Sequence, residues 1–283
     1  MKLNLNNITF IIVCFKSENV IYSCLNSLPK ECKKIVIENS KNIKLKNDLE
    51  TNYDNIEVLI NDNLGMGASN NIGISMAKTN FVYILNPDTK LQKNTLDILI
   101  QESDKLDDFA IISPLSSNET FPNYKIFKKE NINKDIFEVD RVDGFSMLLN
   151  KEKFDNKFFD ENSFLYLEND DLCLRVKKKK EKIYIIRKSR IDHLGSSSSS
   201  DNKSKDFEYL RNWHWMWSKF YFNKKHSGYL ISIIKIFPNL ISASLKFFLY
   251  FILFQAHKKN IYKMRILGIY NSLIGKKSYF RVF

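Results

Sequence analysis

Short apolar runs alternate with helix-sized segments between residues 8 and 85, and this alternation restricts the fold more than any other feature of the chain. Strands separated by helices form right-handed βαβ units, which predicts a parallel sheet covered by helices. The predicted elements are strands at Ile8–Phe15, Lys34–Glu38, Ile56–Ile60 and Phe81–Leu85, with helices at Val20–Leu28 and Ala68–Ala77.

The regular alternation ends after residue 85. An irregular, charged stretch that runs to Val139 interrupts the later elements, so the second half of this domain is not a simple continuation of the first. The later predicted elements are helices at Leu91–Glu102 and Glu168–Lys179 and strands at Phe109–Ser113, Phe145–Leu149 and Lys182–Ile186.

The strand predicted at Phe81–Leu85 ends abruptly at Asn86-Pro87-Asp88. A proline cannot extend a hydrogen-bonded ladder, so the chain must turn here. A carboxylate just past the end of a buried strand lies where open α/β sheets bind their ligands. Asp88 is therefore predicted to serve chemistry rather than packing.

A segment with two glycines joins the third predicted strand to its helix. It contains Asn63, Gly65, Gly67 and Asn70, and the start of the following helix favours an anion. The segment lacks the third glycine of a dinucleotide fingerprint and the lysine of a P-loop. An ordinary strand–helix turn is an equally good interpretation of this segment taken alone.

Acidic residues open the helix predicted at Glu168. Favourable interaction with the helix dipole explains acids in a first turn, and catalysis is the alternative. Asp171 and Arg175 have the spacing of an ion pair, which leaves Glu168 as a candidate base. His193 is the only histidine before residue 200, and it either has a structural role or completes a metal site with Asp88.

The net charge of +12 comes entirely from the C-terminal part of the chain. Residues 1–200 hold 29 basic and 29 acidic side chains, whereas residues 201–283 hold 15 and 3. All three tryptophans, Trp213, Trp215 and Trp217, follow this change in composition. The serine run 196–200 is the predicted boundary between a domain at 1–200 and a basic, aromatic helical tail at 201–283.

The tail is predicted to associate with an anionic membrane surface. Residues 231–256 are mostly apolar, and Lys235, Pro238 and Lys246 interrupt them, so an amphipathic helix in the plane of the membrane is favoured over a crossing at 236–256. The tryptophan segment suits such an interface. The alternatives are packing on the first domain, a homodimer through the tail, and single-stranded nucleic acid. Long aliphatic runs favour lipid, so no nucleic-acid partner is expected.

The order of these motifs resembles the family 2 glycosyltransferases of the GT-A fold, especially the bacterial rhamnosyltransferase-like branch that builds surface polysaccharides. The resemblance covers residues 8–200, and it implies a Rossmann-like α/β domain with a mostly parallel central sheet and flanking helices. The segments that carry it are Asn63–Asn70, Asn86-Pro87-Asp88, Val142–Leu149, Phe164–Arg175 and His193-Leu194-Gly195-Ser196.

The resemblance implies an inverting transfer of a sugar, with rhamnose as one candidate, from a dTDP- or UDP-sugar to a surface-polysaccharide or lipid-linked saccharide acceptor. It also implies Mg²⁺ or Mn²⁺ as the cofactor. The roles that it implies are metal binding by Asp88 and His193; proton abstraction by Glu168 or Asp171, then Asp170; donor binding by Phe15, Glu38, Asn63, Gly65, Gly67, Asn70, Asn86 and Asp88; and acceptor binding by Asp143 and Gly144.

Two positions depart from the family pattern. Glu38 stands where the family has an aspartate for the donor base, and Asn169 stands where it has the aspartate credited as catalytic base. A catalytically impaired protein that binds sugar nucleotides is therefore the alternative function. The four cysteines form no C-x-x-C pair, which favours reduced thiols in a cytoplasmic protein. Together with the basic tail, this predicts a location at the inner leaflet of the plasma membrane.

Overall fold

The computed structural model describes residues 2–127, 133–195, 199–200 and 204–281. The chain divides into two compact units. The α/β unit comprises Met1–Asp160 and Asn169–Ser200, and the helical unit comprises Glu161–Glu168 and Asp201–Phe283. The predicted boundary at 196–200 falls partly outside the described residues, as does Ser196 of the predicted histidine motif.

The α/β unit contains all of the strands in the described residues and five helices. Most of the elements predicted from the sequence are present, with bounds that differ by a few residues. In chain order they are β1 (Ile8–Cys14), α1 (Ile21–Asn26), β2 (Lys33–Glu38), α2 (Ile43–Asn52), β3 (Ile56–Ile60), α3 (Met66–Met76), β4 (Phe81–Leu85), β5 (Thr89–Leu91), α4 (Thr95–Ser103), β6 (Ile111–Ser116), β7 (Tyr124–Lys125), β8 (Ile136–Glu138), β9 (Arg141–Val142), β10 (Ser146–Asn150), α5 (Glu168–Lys178) and β11 (Ile183–His193).

Nine strands form one mixed sheet in the order β3-β2-β1-β4-β10-β6-β11-β5, with β8 paired to β11. Strands β3, β2, β1 and β4 are parallel, whereas β10 is antiparallel to both β4 and β6. Because β5 follows β4 in the chain but pairs with β11 at the far end of the order, the sheet curls back on itself. Alternate residues such as Ile11 and Ile12 enter separate hydrophobic cores.

The sequence did not predict α2 or the short strand β5. The α2 segment is strongly polar, and only Leu45 and Leu49 of its residues are buried, so its apolar periodicity is weak. β5 has only three residues, too few for alternation to show, and its presence delays the next helix to Thr95. β11 extends to His193 rather than ending at Ile186, and its pairing shifts register on the way.

Three long helices form most of the helical unit. They are α6 (Lys205–Ser227), α7 (Tyr229–Ile252) and α8 (Ala256–Leu273). A Cβ atom added to Gly268 of α8 would lie 2.3 Å from the carbonyl oxygen of Trp213, so α8 approaches the backbone of α6 directly. Only glycine permits this contact. It fixes which side chains of the two helices become neighbours.

Two of the three tryptophans are buried inside the helical unit. Trp213 and Trp217 are 1% and 3% exposed, and the indole nitrogen of Trp217 donates to the carbonyl of Lys276 at 2.9 Å. The predicted position of these side chains at a membrane interface is therefore wrong, because the helices use them as core. Trp215, which is 38% exposed, is the exception.

Residues 161–168 belong to the helical unit, although the sequence predicted one domain over 1–200. The hydroxyl of Ser218 on α6 donates to the carbonyl of Leu165 at 2.7 Å and lies 3.0 Å from the Ser163 hydroxyl. The guanidinium of Arg281 lies 3.4 Å from the centre of the Phe164 ring. The segment that leads into α5 is thus held by the C-terminal helices.

Candidate active site

The carboxyl ends of four parallel strands meet at one edge of the sheet, and the predicted donor-binding residues lie along it. Phe15 follows β1, Glu38 ends β2, Asn63 comes shortly after β3, and Asn86 follows β4. Ligands of open α/β sheets bind at such an edge. The topology therefore brings together residues that are far apart in the sequence.

The turn after β4 is held from both sides. The carbonyl of Asn86 accepts hydrogen bonds from the backbone nitrogen of Thr89 at 3.2 Å and from its hydroxyl at 2.7 Å. The backbone nitrogen of Asn86 donates to the carbonyl of Phe145 at 3.0 Å. Asp88 lies within this turn and is only 3% exposed. A carboxylate is buried at this depth only where paired groups or a cation stabilise its charge.

His193 is the neighbour of Asp88 at this edge. Its Nε2 atom lies 3.5 Å from Oδ1 of Asp88, and its ring stacks on Phe145 with centroids 4.1 Å apart. The pairing of β11 with β5 places His193 opposite Thr89, so it is the last residue of a strand that extends well beyond the predicted end at Ile186. The structure nevertheless brings the two predicted metal ligands together.

The described residues contain no cluster of three or more histidine, cysteine or acidic side chains able to hold a metal ion. Mg²⁺ and ions like it are commonly held by one or two carboxylates together with substrate phosphates and water. Asp88 and His193, with donor atoms 3.5 Å apart, fit a site of that kind. The donor set is therefore suited to a cation that arrives with a diphosphate.

The glycine segment forms the start of α3. Gly65 has φ 95° and ψ 169°, a conformation that favours glycine, and its backbone nitrogen donates to Asn63 Oδ1 at 3.3 Å. Gly67 and Asn70 are buried in the first turns of the helix. Within the described part of the chain, Asn70 Oδ1 is buried without a hydrogen-bond partner. This combination suits a polar ligand at the helix start.

Glu38 is hydrogen-bonded to the loop that follows β2. Its two carboxylate oxygens accept hydrogen bonds from the backbone nitrogen of Ser40 at 3.0 and 3.1 Å, and one accepts from the backbone nitrogen of Asn42 at 2.7 Å. The Ser40 hydroxyl also donates to it. The carboxylate is fully buried and stabilises the loop into α2, and its predicted contact with the donor base stays a prediction.

Arginine side chains hold two of the three carboxylates predicted as bases. Asp170 pairs with Arg141, whose other nitrogen lies 3.7 Å from Asp143. Asp171 is 4% exposed and accepts from Nε of Arg175 at 2.8 Å. Both ion pairs fix the first turns of α5. These ion pairs give Asp170 and Asp171 a structural role, and their predicted role as bases stays a prediction.

Asn169 performs a task that an aspartate cannot. Its Nδ2 atom donates to the carbonyl of Val142 at 3.0 Å, and its Cβ lies 3.3 Å from where a Cβ of residue 144 would stand. Gly144 therefore packs closely against the first turn of α5. The sequence showed Asn169 only as a departure from the family pattern, because the accepting carbonyl is distant in the chain.

Asp143 lies next to Gly144 on the acceptor side predicted from the sequence. It is half-buried, and burial raises the pKa of its carboxyl group, while the positive charge of Arg141 opposes the increase. Removing a charged carboxylate from water disfavours its ionised form. Asp143 therefore holds a proton more readily than an exposed aspartate does.

This sheet order and buried edge define a GT-A-like α/β fold. The crystal structure of GalNAc-T7 with UDP, GalNAc and Mn²⁺ superposes with a TM-score of 0.55 at 15% identity, covering 75% of this chain and 51% of that chain. S. aureus TarS 1-349 in complex with UDP-GlcNAc gives 0.53 at 16% identity, covering 99% and 93%. At this identity the likeness concerns the fold alone.

The chain belongs to glycosyl transferase family 2, whose model matches residues 9–167. The family predicted from the motifs is thus confirmed, whereas the rhamnosyltransferase-like branch stays a prediction. The low-salt glycan biosynthesis hexosyltransferase Agl10 of Haloferax volcanii is 25% identical over 197 residues, 62% of each protein. The chain therefore spans less than two thirds of the length of that relative.

Proposed function

We propose that this protein is an inverting hexosyltransferase that moves a sugar from a nucleotide-diphosphate donor to a growing surface-polysaccharide or lipid-linked acceptor. The observation that carries the proposal is the buried Asp88 carboxylate beside His193, at the sheet edge where α/β folds bind ligands. Family membership and a hexosyltransferase relative support it. UDP in one structural neighbour and UDP-GlcNAc in another support a UDP-sugar donor, and a dTDP-sugar such as dTDP-rhamnose is the other candidate.

The residues of the site have separate tasks in this proposal. Asp88 and His193 would hold Mg²⁺ or Mn²⁺, which supplies a positive charge for the leaving diphosphate when bound. The start of α3, with Gly65 and Asn70, receives the polar part of the donor. Glu168 takes the proton from the acceptor hydroxyl, because arginines hold the other acids of α5.

A thermal-shift screen of nucleotide-diphosphate sugars tests this function. One donor, with Mn²⁺ present, is expected to stabilise the full chain by about 2.7 kcal/mol at a hundredfold excess over Kd. For a protein of this size that is a rise of about 5–10 °C in Tm. Mn²⁺ alone is the control.

Two results would contradict the proposal. No stabilisation by any donor would reject donor binding altogether. If a donor stabilises the protein but is neither transferred nor slowly hydrolysed, the alternative function is established, a catalytically impaired protein that binds sugar nucleotides.

We also propose that α7 lies in the plane of an anionic membrane, at the cytoplasmic face. It is the one helix in the described residues that is long and apolar enough to cross a membrane by length and composition. Its buried residues, Ser232, Ile236 and Ala243, share one side of the helix. The opposite side is apolar and exposed, with the residues Ile234, Ile241, Leu245, Phe248 and Ile252.

A position in the plane of the membrane explains why one side of α7 is packed against the other helices and the opposite side is apolar and exposed. Ile236 packs with Met216 of α6 and Ile269 of α8, and these two helices carry many basic residues. The exposed apolar side is then available to the lipid boundary, and nearby basic side chains gain about 1 kcal/mol each from anionic lipids. This arrangement supports peripheral association rather than a crossing.

Flotation with vesicles that contain phosphatidylglycerol tests this proposal. The full chain is expected to float, and the double variant Ile234→Glu/Phe248→Glu is expected to bind at least about tenfold more weakly, because each side chain loses ~1.5–3 kcal/mol of apolar burial. Ile43→Glu, at a residue 63% exposed in the α/β unit, is the matched control. Equal flotation of all three proteins would contradict the proposal, and a dimer that the double variant disrupts would assign the face to self-association.

A further inference from the structure

A cleft of about 520 Å³ in the helical unit is lined by two arginines and two aromatic side chains. They are Arg211, Arg265, Tyr166 and Trp215. We infer that this cleft binds a phosphate monoester group of the acceptor. The inference rests on the proposed function for the identity of the acceptor, and on the contacts within the helical unit for the binding of phosphate.

The two arginines form their hydrogen bonds through their Nε atoms. Their Nη atoms are therefore available to bind a ligand. Nε of Arg211 donates to the Tyr166 hydroxyl at 3.0 Å, and Nε of Arg265 donates to Asn212 Oδ1 at 2.8 Å. Among the residues that the structure describes, the Nη atoms of both arginines have no hydrogen-bond partner. A planar guanidinium fork of this kind matches phosphate oxygens in pairs.

The packing of α8 on α6 places the arginines in the same cleft. The close contact between Gly268 and the carbonyl of Trp213 lies within one turn of both Arg265 and Asn212. Asn212 directly follows Arg211, so the hydrogen bond from Arg265 to Asn212 holds the second guanidinium near the first. The site is therefore built by the helix contact that requires glycine.

The balance of charge in the cleft favours an anion. Glu208 is its only acidic lining residue in the described part of the chain, and it accepts a hydrogen bond from His257 Nε2 at 2.9 Å. The Nδ1 atom of His257 lies 3.0 Å from the Tyr209 hydroxyl. Two guanidinium groups therefore face one carboxylate that already has a partner, and a monoester with nearly two negative charges suits them.

The aromatic side chains indicate that the phosphate carries a further group. Tyr166 and Trp215 meet edge to face with centroids 5.4 Å apart, and Trp215 is 38% exposed. An exposed indole beside a cationic pocket offers a flat apolar surface to a sugar ring or an isoprenoid unit. Inorganic phosphate alone would leave this surface unused.

The cleft is close to the proposed base along the chain. Tyr166 and Leu167 have φ values of 74° and 68°, and Glu168 follows them as the first residue of α5. The Cα atoms of Tyr166 and Glu168 can be no more than about 7.6 Å apart. A phosphate bound beside Tyr166 would therefore hold an attached saccharide on the segment that leads to Glu168, which gives the cleft a role in orienting the acceptor.

Calorimetric titration of the full chain with phenyl phosphate, in EDTA and mild detergent, tests the inference. Arg211→Gln/Arg265→Gln is expected to weaken phenyl phosphate binding at least about tenfold, because two charge-assisted pairs are lost. Lys263→Gln removes one positive charge from an exposed position of α8 and is expected to bind phenyl phosphate as the wild type does. Arg211→Lys/Arg265→Lys is expected to retain part of the affinity.

A variant that removes a negative charge, and so has the opposite expected effect on affinity, tests the inference if the double glutamine variant fails to fold. Glu208→Gln removes the acid of the cleft and is expected to tighten phenyl phosphate binding about threefold. Inorganic phosphate and soluble dihexanoylphosphatidylglycerol, a diester, are expected to bind more weakly than phenyl phosphate. Equal binding of the diester would assign the cleft to membrane lipid and overturn the inference.

The remaining outcomes separate this inference from the proposed function. If wild type, Lys263→Gln and the double glutamine variant bind phenyl phosphate equally, the cleft is not a phosphate site, whatever the protein does with nucleotide sugars. Donor binding with Mn²⁺ is measured in the same variants and is expected to be unchanged. If the wild type binds phenyl phosphate but no donor, the proposed function is rejected and the assignment of the cleft as a phosphate site is kept.

Discussion

If the proposed function holds, Asp88→Asn is expected to lower kcat for sugar transfer by at least about a thousandfold, while the α/β unit stays folded. The substitution keeps the size of the side chain and removes the buried negative charge that would hold the cation at the leaving diphosphate. Such charge stabilisation is worth several kcal/mol, and about 4 kcal/mol corresponds to a thousandfold in rate. Transfer from the donor identified by thermal shift is the measurement, with circular dichroism to monitor folding.

Asp97→Asn is the matched control, because Asp97 is an exposed acid on α4 of the same unit. It is expected to leave transfer unchanged. Titration of Mn²⁺ in the presence of UDP gives a second readout, and the asparagine variant at residue 88 is expected to lose the metal-dependent part of nucleotide binding. Substantial turnover by Asp88→Asn would remove Asp88 from the site.

Glu168→Gln is expected to lower kcat by about 10²–10⁴-fold and to leave donor binding unchanged. Glutamine preserves the shape of the side chain at the start of α5 and cannot accept the proton of the acceptor hydroxyl. Single-turnover transfer separates this chemical defect from a binding defect, since the donor Kd and the chemical step are measured apart.

Asp171→Asn separates catalysis from structure on the same helix. Asp171 is buried and paired with Arg175, so this variant is expected to lose about 2 kcal/mol of the free energy of unfolding and to keep most of its activity per folded molecule. The reverse pattern, with a stable but inactive Asp171→Asn and an active Glu168→Gln, would move the role of the base to Asp171.

The sequence predicted the parallel half of the fold well, since β1, β2 and β4 are buried strands whose composition and spacing identify them. It also predicted Asp88 and His193 as neighbours. It could not show that β5 exists, because three residues are too few for a periodic pattern, yet β5 is the strand that places His193 beside Asp88. The pairing of Asp88 with His193 was proposed from their positions after strands, and the family resemblance implied the same metal site.

Side-chain tasks set by long-range contacts were the main information that the sequence lacked. Asn169 donates to the carbonyl of Val142, a residue 27 positions away, and Asp170 pairs with the distant Arg141. No spacing rule identifies such partners, because they depend on how the strands and helices are assembled. The burial of Trp213 and Trp217 was missed for the same reason.

The hydrogen bonds from Ser218 to residues 163–165 have a practical consequence for work on this protein. A shortened protein that ends near residue 200, made to avoid the apolar C-terminal helices, would release the main chain three to five positions ahead of Glu168. If that fragment turns over slowly even with a fully water-soluble acceptor, the cause would be the released segment ahead of Glu168 and not the absence of lipid. Solubilised full-length protein is the reliable material for kinetics.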